Sequence, residues 1–143
     1  MKIIDEKLLE VRSYEGAGYQ PLIDYDKWRV AILRYCDELM PERISTMQQH
    51  NETDEVFVLL EGRCILFLGE GDDTITSINA VDMVPCKLYN VKRGVWHSHT
   101  LNNDASVLIV ENRYTTIQNS PKMILDDDQR RRIVDITHEL WSE

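Results

Sequence analysis

Apolar residues along most of this chain come in short runs separated by turn-forming residues, the punctuation expected of an all-β sandwich or barrel. Trp28 to Tyr35 alternates in part, with Trp28, Val30, Ile32 and Tyr35 as its apolar positions, and this predicts an edge-facing strand after the turn-like Asp24-Tyr25-Asp26. Val56-Phe57-Val58-Leu59-Leu60 is apolar throughout and ends at Glu61-Gly62, and Cys64-Ile65-Leu66-Phe67-Leu68 follows at once. The pair predicts a hairpin in which Gly62 supplies a backbone conformation that a Cβ would hinder. Gly69 to Asp73 reads as a second turn, and further strands are expected over 74–78, 88–91, 95–101 and 107–110, with Asn102-Asn103-Asp104 turning the last hairpin. Near Leu125 the period changes. Ile133, Ile136, Leu140 and Trp141 form a helical stripe behind the acidic Asp126-Asp127-Asp128, which predicts one amphipathic helix over about 126–141 covering an open side of the sandwich.

His50 and Glu55 stand at the joint of two strand-like runs, and His97 and His99 sit in a later one. Residues two apart in a strand share a face, so Gln48 points with His50, and His97 with His99. Glu55 has the opposite parity to His50, but Asn51 to Asp54 reads as a turn that resets the alternation. His50 and Glu55 can therefore converge with His97 and His99. Two imidazoles and a carboxylate suit Fe(II), Mn(II), Ni(II), Co(II) or Zn(II), and three ligands leave positions open for water, oxygen or substrate.

The same residues resemble the two signature motifs of the cupin superfamily. His50, Glu55 and Gly62 fall on the second His, the Glu and the Gly of the first motif, while Gln48 stands where its first His belongs. Gly94 and His97 match the second motif, Lys92 replaces its proline, and its closing Asn is displaced by one to Asn102. The resemblance covers roughly residues 44 to 111. It implies a cupin-like β-sandwich or jelly-roll barrel with a C-terminal helix, and a divalent transition metal held by His50, Glu55 and His97. His99 either completes the ligand set or, as the first candidate for catalytic proton transfer, acts beside it, with Tyr89 or Tyr114 next. Gln48, Tyr89, Lys92 and Arg93 are the expected substrate-binding residues, the last two forming a positive spot that would draw an anionic ligand. The activity implied is metal-assisted isomerase, lyase or oxygenase chemistry on a small organic molecule. The alternative is a non-catalytic binding or regulatory cupin with a metal-free pocket, because one fold serves many functions. Gly94-Val95-Trp96-His97 also resembles a short segment of ureidoglycolate lyases. Pairing of cupins through sheet edges makes a homodimer the expected assembly.

Composition narrows the partners. The 143 residues are expected to form one domain over 1–143, with its core over about 28–115. A net charge of −9 and a pI near 4.9 argue against nucleic acid or an anionic membrane as partner. Charges within Met1-Lys2-Ile3-Ile4-Asp5-Glu6 interrupt any apolar signal run, so the expected location is cytoplasmic. Cys36, Cys64 and Cys86 are odd in number and widely spaced, and read as free thiols. Arg130-Arg131-Arg132, beside three acidic residues, reads as a solvated helix face.

Overall fold

The computed structural model describes residues 2–142. It has ten strands: β1 (Gly18–Tyr25), β2 (Trp28–Arg34), β3 (Thr46–Gln48), β4 (Glu55–Glu61), β5 (Cys64–Glu70), β6 (Ser77–Asp82), β7 (Tyr89–Val91), β8 (Trp96–Leu101), β9 (Ser106–Asn112) and β10 (Lys122–Ile124). A single α-helix, α1 (Asp127–Trp141), follows. The strands form two five-stranded antiparallel sheets, ordered β1-β2-β9-β4-β7 and β10-β3-β8-β5-β6.

Between the sheets lies a core of Ala31, Leu33, Phe57, Leu59, Cys64, Leu66, Leu101, Val107 and Ile109, all buried. These are alternate residues of their strands, as the two-residue period requires. A second core sits on the far side of the second sheet. There Met47, Ile65, Phe67 and Trp96 pack against Leu125, Ile133 and Ile136, so β5 and β8 are buried on both faces. The helix that closes this side begins in a reciprocal cap: Asp126 accepts from the Gln129 amide, and the Gln129 side chain accepts from the Asp126 amide, each at 2.8 Å. Its far end is pinned by Asp82, which accepts from Trp141 Nε1 at 3.1 Å and from Arg63 at 2.7 Å.

Several elements differ from the sequence expectation. β2 is not at an edge but lies between β1 and β9. β1 itself escapes the pattern because Pro21 and an irregularity of register between Pro21 and Ile23 break its alternation. The strand expected over 74–78 begins only at Ser77 and runs on to Asp82, because Ile75 turns inward as a core plug, 5% exposed, ahead of the pairing. The helix matches the expected 126–141 within one residue. No helix among the described residues is long and apolar enough to cross a membrane.

Gly62 joins β4 to β5 with φ +75°, and a Cβ there would stand 2.4 Å from the Ala105 Cα. Asn102 accepts from the Arg63 amide at 2.8 Å and thereby ties this turn to the one between β8 and β9. Gly62→Ala is expected to destabilise the fold by at least about 2 kcal/mol, of which about 1–2 comes from the left-handed backbone alone. Urea unfolding measures it, and a loss below about 0.5 kcal/mol would show that the two turns move apart freely.

Candidate functional site

The first motif crosses from one sheet to the other. Gln48 ends β3 beside His97 of β8, His50 lies in the following loop, and Glu55 opens β4 on the opposite sheet. The bend at residues 51–54 is what turns Glu55 back toward His50. Its Asp54 accepts from the Arg93 amide at 2.8 Å and from Asn90 at 3.0 Å, and the Gly94 amide donates to the His50 carbonyl at 2.9 Å. Gly94, with φ +77°, is the third residue of the turn closed by the Val95 amide on the Lys92 carbonyl at 3.1 Å, a position that requires positive φ. The loops carrying the two motifs are thus bonded to each other.

One donor atom from each of His50, Glu55 and His97 lies within 4.8 Å of the others, and all three residues are buried. Glu55 Oε1 is 3.1 Å from His50 Nε2 and 3.0 Å from His97 Nε2. The far side of each ring is engaged as well. His97 Nδ1 donates to the Val95 carbonyl at 3.0 Å. His50 Nδ1 is 2.7 Å from Ser120 Oγ, whose own hydroxyl donates to Asn119 Oδ1 at 3.2 Å, which leaves His50 Nδ1 as the donor. A singly protonated ring held this way presents Nε2 as a lone pair. Three electron-pair donors then face one another, an arrangement that needs protons or a cation between them and fits a borderline divalent metal. Burial would raise the Glu55 carboxyl, but when protons occupy the facing Nε2 atoms the hydrogen bonds from His50 and His97 outweigh that and hold it well below the usual carboxylate range.

His99 stands apart from this cluster. Its Nδ1 is buried without a hydrogen-bond partner among the described residues, and burial pushes its imidazole down to about 4. Its ring faces Phe57 at 5.7 Å between centroids, and His97 faces the same ring at 6.2 Å. His99, Gln48, His50 and Glu55 line a cavity of about 460 Å³ between the sheets. Leu33, Leu39 and Ile109 give this cavity an apolar wall, and Tyr19, Glu111, Ser120 and Lys122 a polar one.

Tyr89, Lys92, Arg93 and Tyr114 do not line this cavity. The Tyr89 hydroxyl is taken up by the Val84 amide at 2.9 Å, Lys92 and Arg93 are exposed on the turn described above, and Tyr114 lies beside Arg113 on the surface. The cation that does line it is Lys122, on a strand too short to show in the pattern. Glu111 and Tyr19 were also beyond sequence reasoning. The Tyr19 hydroxyl donates to Glu111 at 2.5 Å, and burial together with the charge of Glu55 pushes the Glu111 carboxyl up to about 7. The signal was present in part: Glu111 is a charged residue at an inward position of a strand whose other inward residues are Val107 and Ile109. Ser120 carried none, because it lies in an irregular connection.

No protein-family model and no curated protein matches the sequence. Solved structures do match. The Streptomyces protein PAC13 with uridine aligns at a TM-score of 0.55 and 9% identity, over 80% of this chain and 85% of that one. The same protein is described as a nucleoside dehydratase built on a β-barrel. A protein from Planctomyces limnophilus aligns at a TM-score of 0.52 and 11% identity, over 83% and 94%. A cupin-2 domain protein from Shewanella frigidimarina NCIMB 400 aligns at 0.49 and 16%, over 70% and 85%. The likeness to PAC13 and to the Planctomyces limnophilus protein shows a shared fold, two antiparallel sheets enclosing a cavity, in which His50, Glu55 and His97 of the two cupin-like motifs come together.

Proposed function

We propose that this protein is a metal-dependent enzyme that acts on a small organic molecule by isomerase or lyase chemistry. The observation that supports this most directly is the convergence of His50 Nε2, His97 Nε2 and Glu55 Oε1 beside a cavity, with both Nδ1 atoms engaged from behind. His50, Glu55 and His97 would hold Fe, Mn, Ni, Co or Zn, and such an ion, when bound, polarises a carbonyl, carboxylate or enolate oxygen. Val95 and Ser120 fix the two rings so that the donors are set before a ligand arrives. His99 is the proton-handling group, since its Nδ1 is the buried side-chain nitrogen left without a hydrogen-bond partner among the described residues. That unpartnered base favours proton transfer over oxygen activation. Lys122 and Gln48, at the cavity wall, are placed to hold an anionic or hydrogen-bonding substituent, while Leu33, Leu39 and Ile109 keep water from the opposite side.

Elemental analysis of protein purified without added metal or chelator, with His50→Ala in parallel, tests the reading. Near one equivalent of a transition metal in the parent, absent from the variant, is the expected result. A parent that takes up none of the five metals would leave a metal-free binding pocket as the function of this cavity. Gln48→His restores the family pattern next to His97, and it is expected to tighten metal binding by about 10-fold, within the range by which supporting groups tune such sites. Competition with a chelator of known affinity reads the change, and an unaltered affinity would place Gln48 outside the reach of the ion.

A further inference from the structure

The cavity beside the candidate site does not end at His99. A second cavity of about 370 Å³ opens on the other side of that imidazole, and the two share Leu39, Gln48, His99 and Lys122 as a common wall. His50 and Glu55 face the first, His97 faces the second, and His99 faces both. The three donor residues are thus approached from two chambers.

Their chemistry differs. The first chamber has the apolar wall of Leu33, Leu39 and Ile109, whereas the second is lined by Arg43 and Lys122 together with Ser45, Thr46 and Ser98. Sheet register puts the lysine there. Lys122 of β10 lies opposite Gln48 of β3, and Gln48 opposite His97 of β8, so the three side chains form one rank on the face that carries the site. Arg43 comes from the turn Pro41–Arg43, which packs against α1 and which the Arg43 amide closes on the Met40 carbonyl at 2.9 Å. Although the chain has a net charge of −9, neither cation is ion-paired among the described residues. Arg29 and Arg63, by contrast, lie 2.8 Å and 2.7 Å from a carboxylate. Glu38 also lines the second chamber, but its carboxylate is engaged by its own amide and by the Cys36 thiol. The hydroxyls of Ser45, Thr46 and Ser98, the Gln48 side-chain amide and His99 Nδ1 make no hydrogen bond among the described residues.

Two unpaired cations and three free hydroxyls in an acidic protein complement a compact dianion with several terminal oxygens. A phosphate monoester carries about −1.5 to −2 charges at neutral pH, and a guanidinium fork takes its oxygens two at a time. A carboxylate, with one charge and two oxygens, leaves part of the set unmatched. We propose that the substrate of this site is a phosphate monoester, its phosphate held in the second chamber by Arg43 and Lys122 and its organic part reaching past His99 into the first. The proposal rests on the reading of the first cavity as a small-molecule site, and it holds whichever metal the donors take. Arg43, which precedes both motifs, then selects the substrate.

Calorimetric titration of the full chain at low salt with glycerol 3-phosphate tests this, with glycerate as the carboxylate counterpart. One equivalent of the phosphate should bind with a dissociation constant at or below about 1 mM, and about 10-fold or more tightly than glycerate. Arg43→Gln and Lys122→Gln each alter an exposed side chain. Each should weaken binding by about 10-fold or more, while the metal content found by elemental analysis stays that of the parent. Lys92→Gln removes the same charge outside both chambers and should leave the affinity unchanged. Absence of binding to the parent, equal binding of glycerate, undiminished binding by Arg43→Gln and Lys122→Gln, or an equal loss in Lys92→Gln would each overturn the assignment. Phosphate binding with the expected losses, in protein that takes up no metal, would uphold this assignment while removing the metal one, so the two fail separately.

Discussion

Glu55→Gln should abolish the metal binding proposed for this site, from near one equivalent to less than a tenth, with the fold intact. The substitution keeps the shape of a buried side chain but removes the one negative charge among the three donors, and an amide is a poor ligand for a borderline cation. Loss of affinity by more than about 100-fold is expected, beyond the 10–100-fold typical of groups that merely support a ligand. Stability gives a second readout. In the parent, free metal at 100 times its dissociation constant stabilises the folded state by about 2.7 kcal/mol, which for a chain of this size raises the melting temperature by roughly 5–10 °C. The variant should show no such rise. If Glu55→Gln still bound one equivalent with the same thermal response, the assigned ligand set would be wrong.

Phe57→Ala should have the largest effect on stability of any single truncation near the site. Phe57 is 0% exposed, and its ring packs inside β4 against the imidazoles of both His97 and His99. Removing a ring from such a place costs about 3–5 kcal/mol, a large part of the 5–15 kcal/mol that a domain possesses. Phe57→Leu, which keeps most of the volume, should cost less than about 1.5 kcal/mol. Chemical unfolding of the metal-free forms separates the two. Equal losses would mean that the ring contributes nothing beyond its bulk.

What could be read from the sequence follows from what is local. The β4–β5 hairpin shows because an apolar run, a glycine and a second apolar run lie within a few residues, and the helix shows because its stripe and its acidic cap are contiguous. The pairing of His50 and Glu55 was legible only through the turn between them, and His97 only through its likeness to a second motif. Tyr19, Glu111, Ser120 and Lys122 were not legible as site residues. Each reaches the cavity through pairing with distant segments: β1 on β2, β9 between β2 and β4, β10 on β3. Lys92 and Arg93 illustrate the converse. They are close to His97 in sequence, yet a tight turn aims them outward, so proximity along the chain misplaced the positive charge.

The bond between the Gly94 amide and the His50 carbonyl, and that between His50 and Ser120, have a bearing on how the chain reaches its working state. The groups that set the two imidazoles come from residues 50, 55, 95, 97 and 120, so no fragment shorter than residues 50–120 can assemble them. Most of their partners are remote in sequence, and topologies dominated by such contacts fold slowly. Ion uptake should therefore be a late event in refolding, lagging behind the burial of Trp96 and Trp141 seen by fluorescence, and its kinetics would report closure of the barrel rather than diffusion of the ion.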